Sequence, residues 1–249
     1  MIELLFNNLE LVDPDATEKS KHDKEAFALT RRSGIGGSEA ATVLGVSKWK
    51  TLEQLIKEKC SSEITEEELE VGNKASVRKG ADIEPIILDK FNEWAGVDVV
   101  KPDGMYRMKD YPALTVNFDG IYCEDNEWIP VEAKLVTQWG QKYWNTIHEA
   151  KTPADNSYHP LYAGRNIQDH IIELSKLYGV PEYYFTQVQH QLLATGAEYA
   201  WLVALFDKDW ELHVFKIYKD KWTQDELVKS AEATWATIEE LKKGGDLDV

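Results

Sequence analysis

Hydrophobic and polar residues alternate on both sides of Asp125 and Asn126. The apolar positions share one parity before this pair and the other parity after it: Leu114, Val116, Phe118 and Tyr122, then Ile129, Val131, Ala133 and Leu135. Period-2 alternation around an Asp-Asn pair predicts a β-hairpin. A turn centred on the pair places Phe118 opposite Ala133 and puts the apolar side chains on one face, so we predict one consistent register.

The other face of this predicted hairpin is charged. The same register sets Asp119 opposite Glu132 and Asn117 opposite Lys134, with facing Cβ atoms about 5 Å apart. Directly opposed like charges destabilise a sheet unless a cation lies between them. Lys134 is one candidate for that cation and a divalent metal is another, while a hairpin face whose carboxylates extend into water is the plain structural alternative.

Periodicity and capping signals predict the remaining elements. We expect helices over residues 34–47 (short), 51–60, 73–94, 137–150, part of 151–180, 183–195 and from 223 onwards, and strands over 97–100, 199–206 and 212–217. Three helix starts carry capping signals: Ser38, Thr51 with Gln54, and Thr223 with Glu226. Pro85 must start the second half of its helix or kink it. Helices and strands in this order predict an α/β (α+β) fold with a mixed sheet flanked by helices.

Composition adds limits on the class of protein. The chain has 249 residues, 43% of them hydrophobic, and a net charge of −16, which argues against a general polyanion binder. Basic residues nevertheless form local islands: Arg31, Arg32, Lys48, Lys50, Lys74, Arg78 and Lys79. We find no long apolar run and no signal-peptide pattern, and Cys60 and Cys123 lack metal-ligand spacing, so a cytoplasmic protein is expected. Residues 1–27 are expected to form a polar arm before a single domain at 28–249.

Two further polar pairs lie on predicted helices. Gly80 and Glu84 are four residues apart, as are Gln187 and Gln191, so each pair shares one helical face. A glutamate among apolar residues usually extends to water or caps a helix, and paired glutamines usually make helix–helix contacts. Either pair alone is therefore a weak functional signal.

The motifs together resemble a known family. Asp119 followed by "VEAK" resembles the PD-(D/E)XK nuclease signature. "RRSGIGGSEAATVLG", "GADIEP" and "YYFTQVQHQLLATG" add a resemblance, from about Arg31 to Phe206, to the YqaJ-type viral recombinases, the family of lambda exonuclease. The resemblance implies a PD-(D/E)XK restriction-endonuclease-like core, and residues 151–180 would be an insertion in the compact family pattern.

The resemblance also implies roles for individual residues. Asp119 and Glu132 would bind Mg²⁺, with Mn²⁺ as a substitute, helped by the backbone carbonyl of Ala133 and by Glu84. Lys134 would orient or deprotonate the attacking water, and Gln187 would position Lys134 or that water. Oxygen ligands of this kind suit hard divalent cations.

Phosphate contacts are implied at the glycine turn. Arg31 and Ser38, with Arg32 as the alternative arginine, match the positions that hold a phosphate in relatives digesting double-stranded DNA from the 5′ end. Ser38 could instead serve only as a cap beside solvated arginines. An arginine that lambda exonuclease carries after the catalytic lysine has no counterpart in "LVTQWGQKYW", which offers only Lys142.

The function implied by the resemblance is a 5′ to 3′ exonuclease on linear double-stranded DNA that makes single-stranded tails for phage-type recombination. Its implied partners are DNA, a single-strand annealing protein and further copies of the chain, such as a trimeric ring, in the cytoplasm of a bacterial or phage-infected cell. A structure-specific or restriction-like endonuclease and a non-catalytic DNA-binding recombination protein are the alternatives.

Overall fold

The computed structural model describes residues 7–73, 75–145 and 166–244. Within these ranges the strands are β1 (Leu9–Asp13), β2 (Met105–Met108), β3 (Thr115–Val116), β4 (Gly120–Glu124), β5 (Glu127–Val136), β6 (Tyr199–Phe206) and β7 (Leu212–Tyr218). The α-helices there are α1 (Ala16–His22), α2 (Lys24–Arg31), α3 (Ala40–Val43), α4 (Leu52–Cys60), α5 (Glu66–Asn73), α6 (Ala75–Ala95), α7 (Ile167–Tyr178), α8 (Glu182–Thr195) and α9 (Lys221–Gly244). None of the described helices has the length and apolar character needed to cross a membrane.

β4 and β5 form the predicted hairpin. Gly120 pairs with Val131 and Tyr122 with Ile129, which confirms the predicted register for this part. Asp125 and Asn126 both have positive φ, 48° and 66°, as the tight hairpin turn requires. The predicted extension of the hairpin to residues 114–116 is wrong, because β3 pairs with β2 instead of β5. Alternation alone cannot tell which neighbouring strand a short apolar segment joins.

The main sheet has the strand order β4-β5-β6-β7. β5 and β6 run parallel while the outer pairs are antiparallel, so the predicted mixed sheet flanked by helices is confirmed. Successive residues of a strand point to opposite faces. Trp201, in register with Val131, contacts Phe91 of α6, whereas Glu132 contacts α8 through Gln187. The two helices therefore cover opposite faces of β5.

The N-terminal segment contributes to a second sheet, with the order β1-β2-β3. Leu9 pairs with Met108 and is buried, and Asp13 accepts hydrogen bonds from Lys19 and Thr30, both at 2.7 Å. The expectation of a polar arm at residues 1–27 is thus corrected, because a strand and two helix starts lie within it. Its mostly polar composition hides a strand whose partner lies about a hundred residues later.

Helix starts agree only partly with the predictions. Thr51 and Gln54 form the predicted capping box. Ser38 is not an N-cap: a 3₁₀ turn, Gly37–Glu39, begins before it, and the Glu39 carboxylate accepts the Gly36 N–H at 2.8 Å. The last helix begins at Lys221 rather than Thr223, and Asp220 accepts the Thr223 N–H at 2.8 Å.

Pro85 lies inside α6, in agreement with the helix predicted over 73–94. Three other elements differ from the predictions. The helix α5 occupies an acidic stretch for which no helix was predicted. The predicted strand at 97–100 is reduced to a bridge between Val100 and Ile121. The predicted helix at 137–150 is a short 3₁₀ turn, Gln141–Tyr143, as far as residue 145. The rest of that helix and residues 151–165 of the expected insertion lie outside the described residues.

Candidate active site

Asp119 lies directly before β4, where the pairing of the hairpin ends. Its Oδ2 accepts the backbone N–H of Ala133 at 3.0 Å and lies 3.5 Å from Nζ of Lys134. The N–H and C=O of one strand residue point to the same edge of the strand, so the Ala133 carbonyl is directed to the same side as Asp119. The short segment after β3 thus brings a carboxylate to an open edge of β5.

Glu132, in the middle of β5, is fully buried at 0% exposure. Its two carboxylate oxygens accept hydrogen bonds from Gln187 and Gln191 of α8, and Oε1 also forms an ion pair with Lys134. The two glutamines are four residues apart and so reach the same carboxylate from one helical face. This burial contradicts the alternative of a solvated hairpin face.

Lys134 lies between the two carboxylates. Its Nζ contacts both Glu132 and Asp119 and is 5.5 Å from the ring centroid of Tyr184 on α8. Burial alone would disfavour the ammonium, but the charges of Glu132 and Asp119 raise the pKa of Lys134 above its usual range. The lysine is therefore a fixed positive charge in this cluster.

Glu84 approaches the same cluster from α6. It is one-fifth exposed and forms an ion pair with Lys101. Burial and the charge of Asp119 raise the pKa of the Glu84 carboxyl, whereas Lys101 opposes the rise. The charge of Asp119 is therefore felt at Glu84, although the Glu84 carboxylate itself contacts Lys101.

The cluster has more negative than positive charge. Burial, followed by the charge of Asp119, raises the pKa of Glu132 to about 8, although Lys134 and Gln191 oppose the rise. The three carboxylates Asp119, Glu132 and Glu84 have two ammonium partners, Lys134 and Lys101, so a further cation would stabilise their ionised forms. Oxygen donors of this type fit Mg²⁺ or Mn²⁺. Within the described ranges no three His, Cys, Asp or Glu side chains already converge tightly enough to hold a metal.

A cavity of about 180 Å³ opens beside this cluster. Asp119, Gln187, Arg31 and Ser38 all contribute to its lining. The Arg31 guanidinium donates to Ser38 Oγ at 2.9 Å and lies 3.2 Å from Glu39 Oε1. The arginine and serine that the sequence suggested for phosphate binding therefore face the same cavity as Asp119, one of the predicted metal ligands.

Arg32 has a different environment. Its side chain is only 7% exposed, donates to the carbonyl oxygens of Ser61 and Glu63 and forms an ion pair with Glu68 at 2.8 Å. These contacts occupy the guanidinium and fix the end of α2 to the loop before α5. Arg32, proposed as the alternative phosphate contact, does not offer its charge to a ligand, and Arg31 is the arginine at the cavity.

Sequence reasoning assigned no role to several residues that the structure brings to the site. From α8, Gln191 donates to Glu132, and the Tyr184 ring lies near the Lys134 ammonium. The buried pair of Glu39 and Lys59 lies behind Arg31. The spacing of Gln191 to Gln187 placed both amides on one helical face, but it did not indicate the carboxylate that they contact. Nothing in the sequence indicated that Lys59 is buried, because a lysine in the last turn of a helix is normally exposed.

Residues 26–198 match the model of the YqaJ-like viral recombinase domain. The protein YqaJ of Bacillus subtilis (strain 168) is 25% identical over 183 residues, which are 73% of this chain. The chain spans about half the length of that curated relative, since the matched region is 46% of it. The family match includes every residue of the acidic cluster and the cavity contacts described above.

Two solved structures share the fold. An alkaline exonuclease (LHK-Exo) from Laribacter hongkongensis has a TM-score of 0.59 and 17% identity, covering 87% of this chain and 94% of that one. A phage related exonuclease from Haemophilus somnus 129PT has a TM-score of 0.55 and 10% identity, covering 86% of this chain and 96% of that one. The core is therefore of the PD-(D/E)XK type expected from the sequence.

Proposed function

The chain belongs to the YqaJ-like viral recombinase family, and from this membership we propose that it is a metal-dependent deoxyribonuclease. The observation that carries the proposal is the convergence of Asp119, Glu132 and Lys134 at the open edge of β5. The similar folds of LHK-Exo and the Haemophilus somnus protein, each named an exonuclease, support the same class of activity.

The proposed metal ligands are Asp119, Glu132, the carbonyl of Ala133 and Glu84. When bound, Mg²⁺ or Mn²⁺ supplies positive charge and Lewis acidity at the scissile phosphate. Gln187 and Gln191 hold the Glu132 carboxylate in one orientation through their amide groups. A buried carboxylate fixed by two donors needs little rearrangement before the reaction, which is the advantage of a preorganised site.

Lys134 would act at the attacking water and the phosphate. Its ammonium is fixed by Asp119 and Glu132, so it can orient a water molecule and offset the negative charge that develops on a phosphate oxygen. Arg31 and Ser38 would hold a phosphate at the other side of the cavity, because their donors face it from the end of α2 and from the glycine turn.

We further propose that the substrate is linear double-stranded DNA and that digestion proceeds from 5′ to 3′. A phosphate held by Arg31 beside Asp119 would place the terminal nucleotide in the reacting position. The single-stranded product would serve recombination with an annealing protein. The proposal also includes a homo-oligomeric ring such as a trimer and a bacterial or phage-infected cytoplasm. It further includes one nuclease domain, predicted over 28–249 with an insertion at 151–180, to which β1 adds a strand.

The test compares linear and circular duplex DNA in Mg²⁺ and in EDTA, with the parent protein and Asp119→Asn. We expect the parent to degrade only the linear DNA, only with metal, and the variant to be inactive. Cleavage of the circle would indicate the endonuclease alternative. Absence of cleavage of either substrate in Mg²⁺ and Mn²⁺ would leave a non-catalytic DNA-binding protein.

A further inference from the structure

Exposed aromatic side chains lie next to the catalytic cluster. Trp49, in the loop before α4, is 77% exposed, and Tyr143, after β5, is 48% exposed. The Trp49 ring contacts Tyr183 of α8 edge-on, with centroids 6.4 Å apart. We call Trp49, Tyr143, Tyr183 and Tyr184 the aromatic surface. An indole so exposed contributes little to the core, and exposed aromatic groups of this kind mark interaction sites.

The aromatic surface is continuous with the active site. Tyr183 and Tyr184 have ring centroids 4.5 Å apart, and the Tyr184 ring lies 5.5 Å from Nζ of Lys134. Neighbouring contacts thus lead from the lysine at the proposed scissile phosphate to the exposed indole of Trp49. A polymer bound at Lys134 would reach this surface within a few monomers.

Positive charges flank the exposed rings. Nζ of Lys142 lies 5.0 Å from the ring centroid of Tyr143, and Nζ of Lys48 lies 5.3 Å from the same centroid. The half-exposed Lys48 also forms an ion pair with Glu182 at 3.2 Å, so an incoming phosphate would compete with this carboxylate for the ammonium. The chain is acidic overall, at −16, which makes two lysines beside one exposed ring a local exception.

Aromatic faces alternating with lysines match the chemistry of single-stranded nucleic acid. Every base offers a π-face for stacking and every nucleotide carries a phosphate. In a duplex the base faces are covered by the neighbouring base pairs. Only the base edges and the sugar-phosphate backbone are exposed to a protein. An aromatic surface gains stacking energy only from unpaired bases, whereas its lysines would contact either form.

We propose that the aromatic surface binds unpaired nucleotides of the DNA strand that enters or leaves the active site. This inference rests on the proposed function, because it takes DNA as the polymer bound at Lys134. It adds a subsite at which Trp49 and Tyr183 stack on bases while Lys48 and Lys142 contact the backbone.

The test measures binding of a fluorescein-labelled oligothymidylate, and of a blunt duplex of equal length, to the metal-free protein in EDTA. Trp49→Ala should weaken oligothymidylate binding about tenfold, a typical loss for one stacked base, and duplex binding less than about threefold. Trp49→Tyr should retain most of the affinity. Trp94→Ala is the matched control: this tryptophan is 59% exposed but contacts Trp201 on the opposite face of the sheet, so both affinities should stay unchanged.

An unchanged oligothymidylate affinity in Trp49→Ala, or equal losses for both DNA forms, would overturn the proposal. Circular dichroism checks that the variant is folded. Cleavage of linear duplex by the parent in Mg²⁺ is measured separately. A parent that cleaves, paired with a Trp49→Ala variant that binds normally, refutes this subsite alone. A parent that neither cleaves nor binds DNA refutes the proposed function as well.

Discussion

Nζ of Lys59 lies 2.8 Å from Oε2 of Glu39, with both side chains buried. The same ammonium donates to the carbonyl oxygens of Arg31 at 2.6 Å and Gly34 at 2.7 Å. Glu39 in turn accepts the Gly36 N–H and contacts the Arg31 guanidinium. The pair therefore ties α4 to the end of α2 and to the glycine turn. This network holds Arg31 toward the cavity that Asp119 lines.

Removing one charge of this pair should destabilise the fold. Glu39→Gln leaves the buried Lys59 ammonium without its charged partner, so we expect the free energy of unfolding to fall by about 3–5 kcal/mol in urea denaturation at neutral pH. Adding Lys59→Met to this variant should recover much of the loss. Glu18→Gln, which removes an exposed ion pair with Lys21, is the control and should cost less than about 1 kcal/mol. Equal effects of the two single changes would contradict the anchoring role.

The same pair predicts a pH dependence. Burial alone would raise the pKa of Glu39, but the charges of Lys59 and Arg31 lower it to about 2. Since the unfolded carboxyl titrates near pH ~4.3, ionised Glu39 stabilises the fold above that pH, and this contribution is lost as the pH falls toward 2. The difference in unfolding free energy between parent and Glu39→Gln should therefore shrink from pH ~6 to pH ~3. A difference that stays constant in urea denaturation across this series would argue against the lowered pKa.

Loss of a proposed metal ligand should remove activity without unfolding the protein. Asp119→Asn keeps an oxygen that can accept the Ala133 N–H but removes a charge beside Glu132. We expect cleavage of linear duplex in Mg²⁺ to fall by at least about 100-fold, with thermal stability without metal unchanged or higher, because carboxylate repulsion is relieved. Asp125→Asn, at the exposed turn of the same hairpin, should keep full activity. Near-normal cleavage by Asp119→Asn would show that the ligand assignment is wrong.

The hairpin shows how much of this site could be predicted. Alternation around Asp125 gives the register of Gly120 with Val131, and that register brings Asp119 close to Glu132. Local alternation does not predict pairing between segments that are distant in sequence. Leu9, for example, pairs with Met108 of β2, which lies across most of the N-terminal half of the chain.

The local sequence pattern also could not predict which polar side chains are buried. Arg31 and Arg32 are adjacent and chemically identical, yet only Arg31 faces the cavity, because Glu68 and two carbonyl groups of the loop before it enclose the other guanidinium. Gln191 contacts Glu132 only because α8 packs over β5. Tertiary packing decides such cases, and no spacing within one element encodes it.

Lys134 should matter for hydrolysis far more than for affinity. Its ammonium lies between the two carboxylates and its side chain is only one-fifth exposed, so few backbone phosphates of bound DNA can reach it. We expect Lys134→Met to slow single-turnover cleavage about 100-fold or more and to weaken duplex binding in EDTA less than about threefold. Lys208→Ala, which removes an exposed lysine of the β6–β7 turn, should change neither quantity. Comparable losses of cleavage and binding would make Lys134 a phosphate anchor.

Arg31 should discriminate between DNA ends. Its side chain is 40% exposed and, with Ser38, faces the cavity that Asp119 lines, where a terminal phosphate would lie next to this proposed metal ligand. A charge-assisted contact to that phosphate is absent when the end carries a 5′ hydroxyl. Arg31→Ala should therefore slow digestion of 5′-phosphorylated linear duplex about tenfold or more, and digestion of 5′-hydroxyl duplex much less.

A digestion time course on both ends, with parent, Arg31→Ala and the exposed α6 control Arg78→Ala, measures this difference. Binding across a salt series adds an independent readout, because losing one phosphate contact should reduce the slope of log affinity against log salt by about one. Equal losses on both ends, with a reduced slope, would make Arg31 a general backbone contact. An unchanged digestion rate on both kinds of end would mean that Arg31 has only a structural role. Its guanidinium would then act solely through its contact with Glu39, which is paired with Lys59.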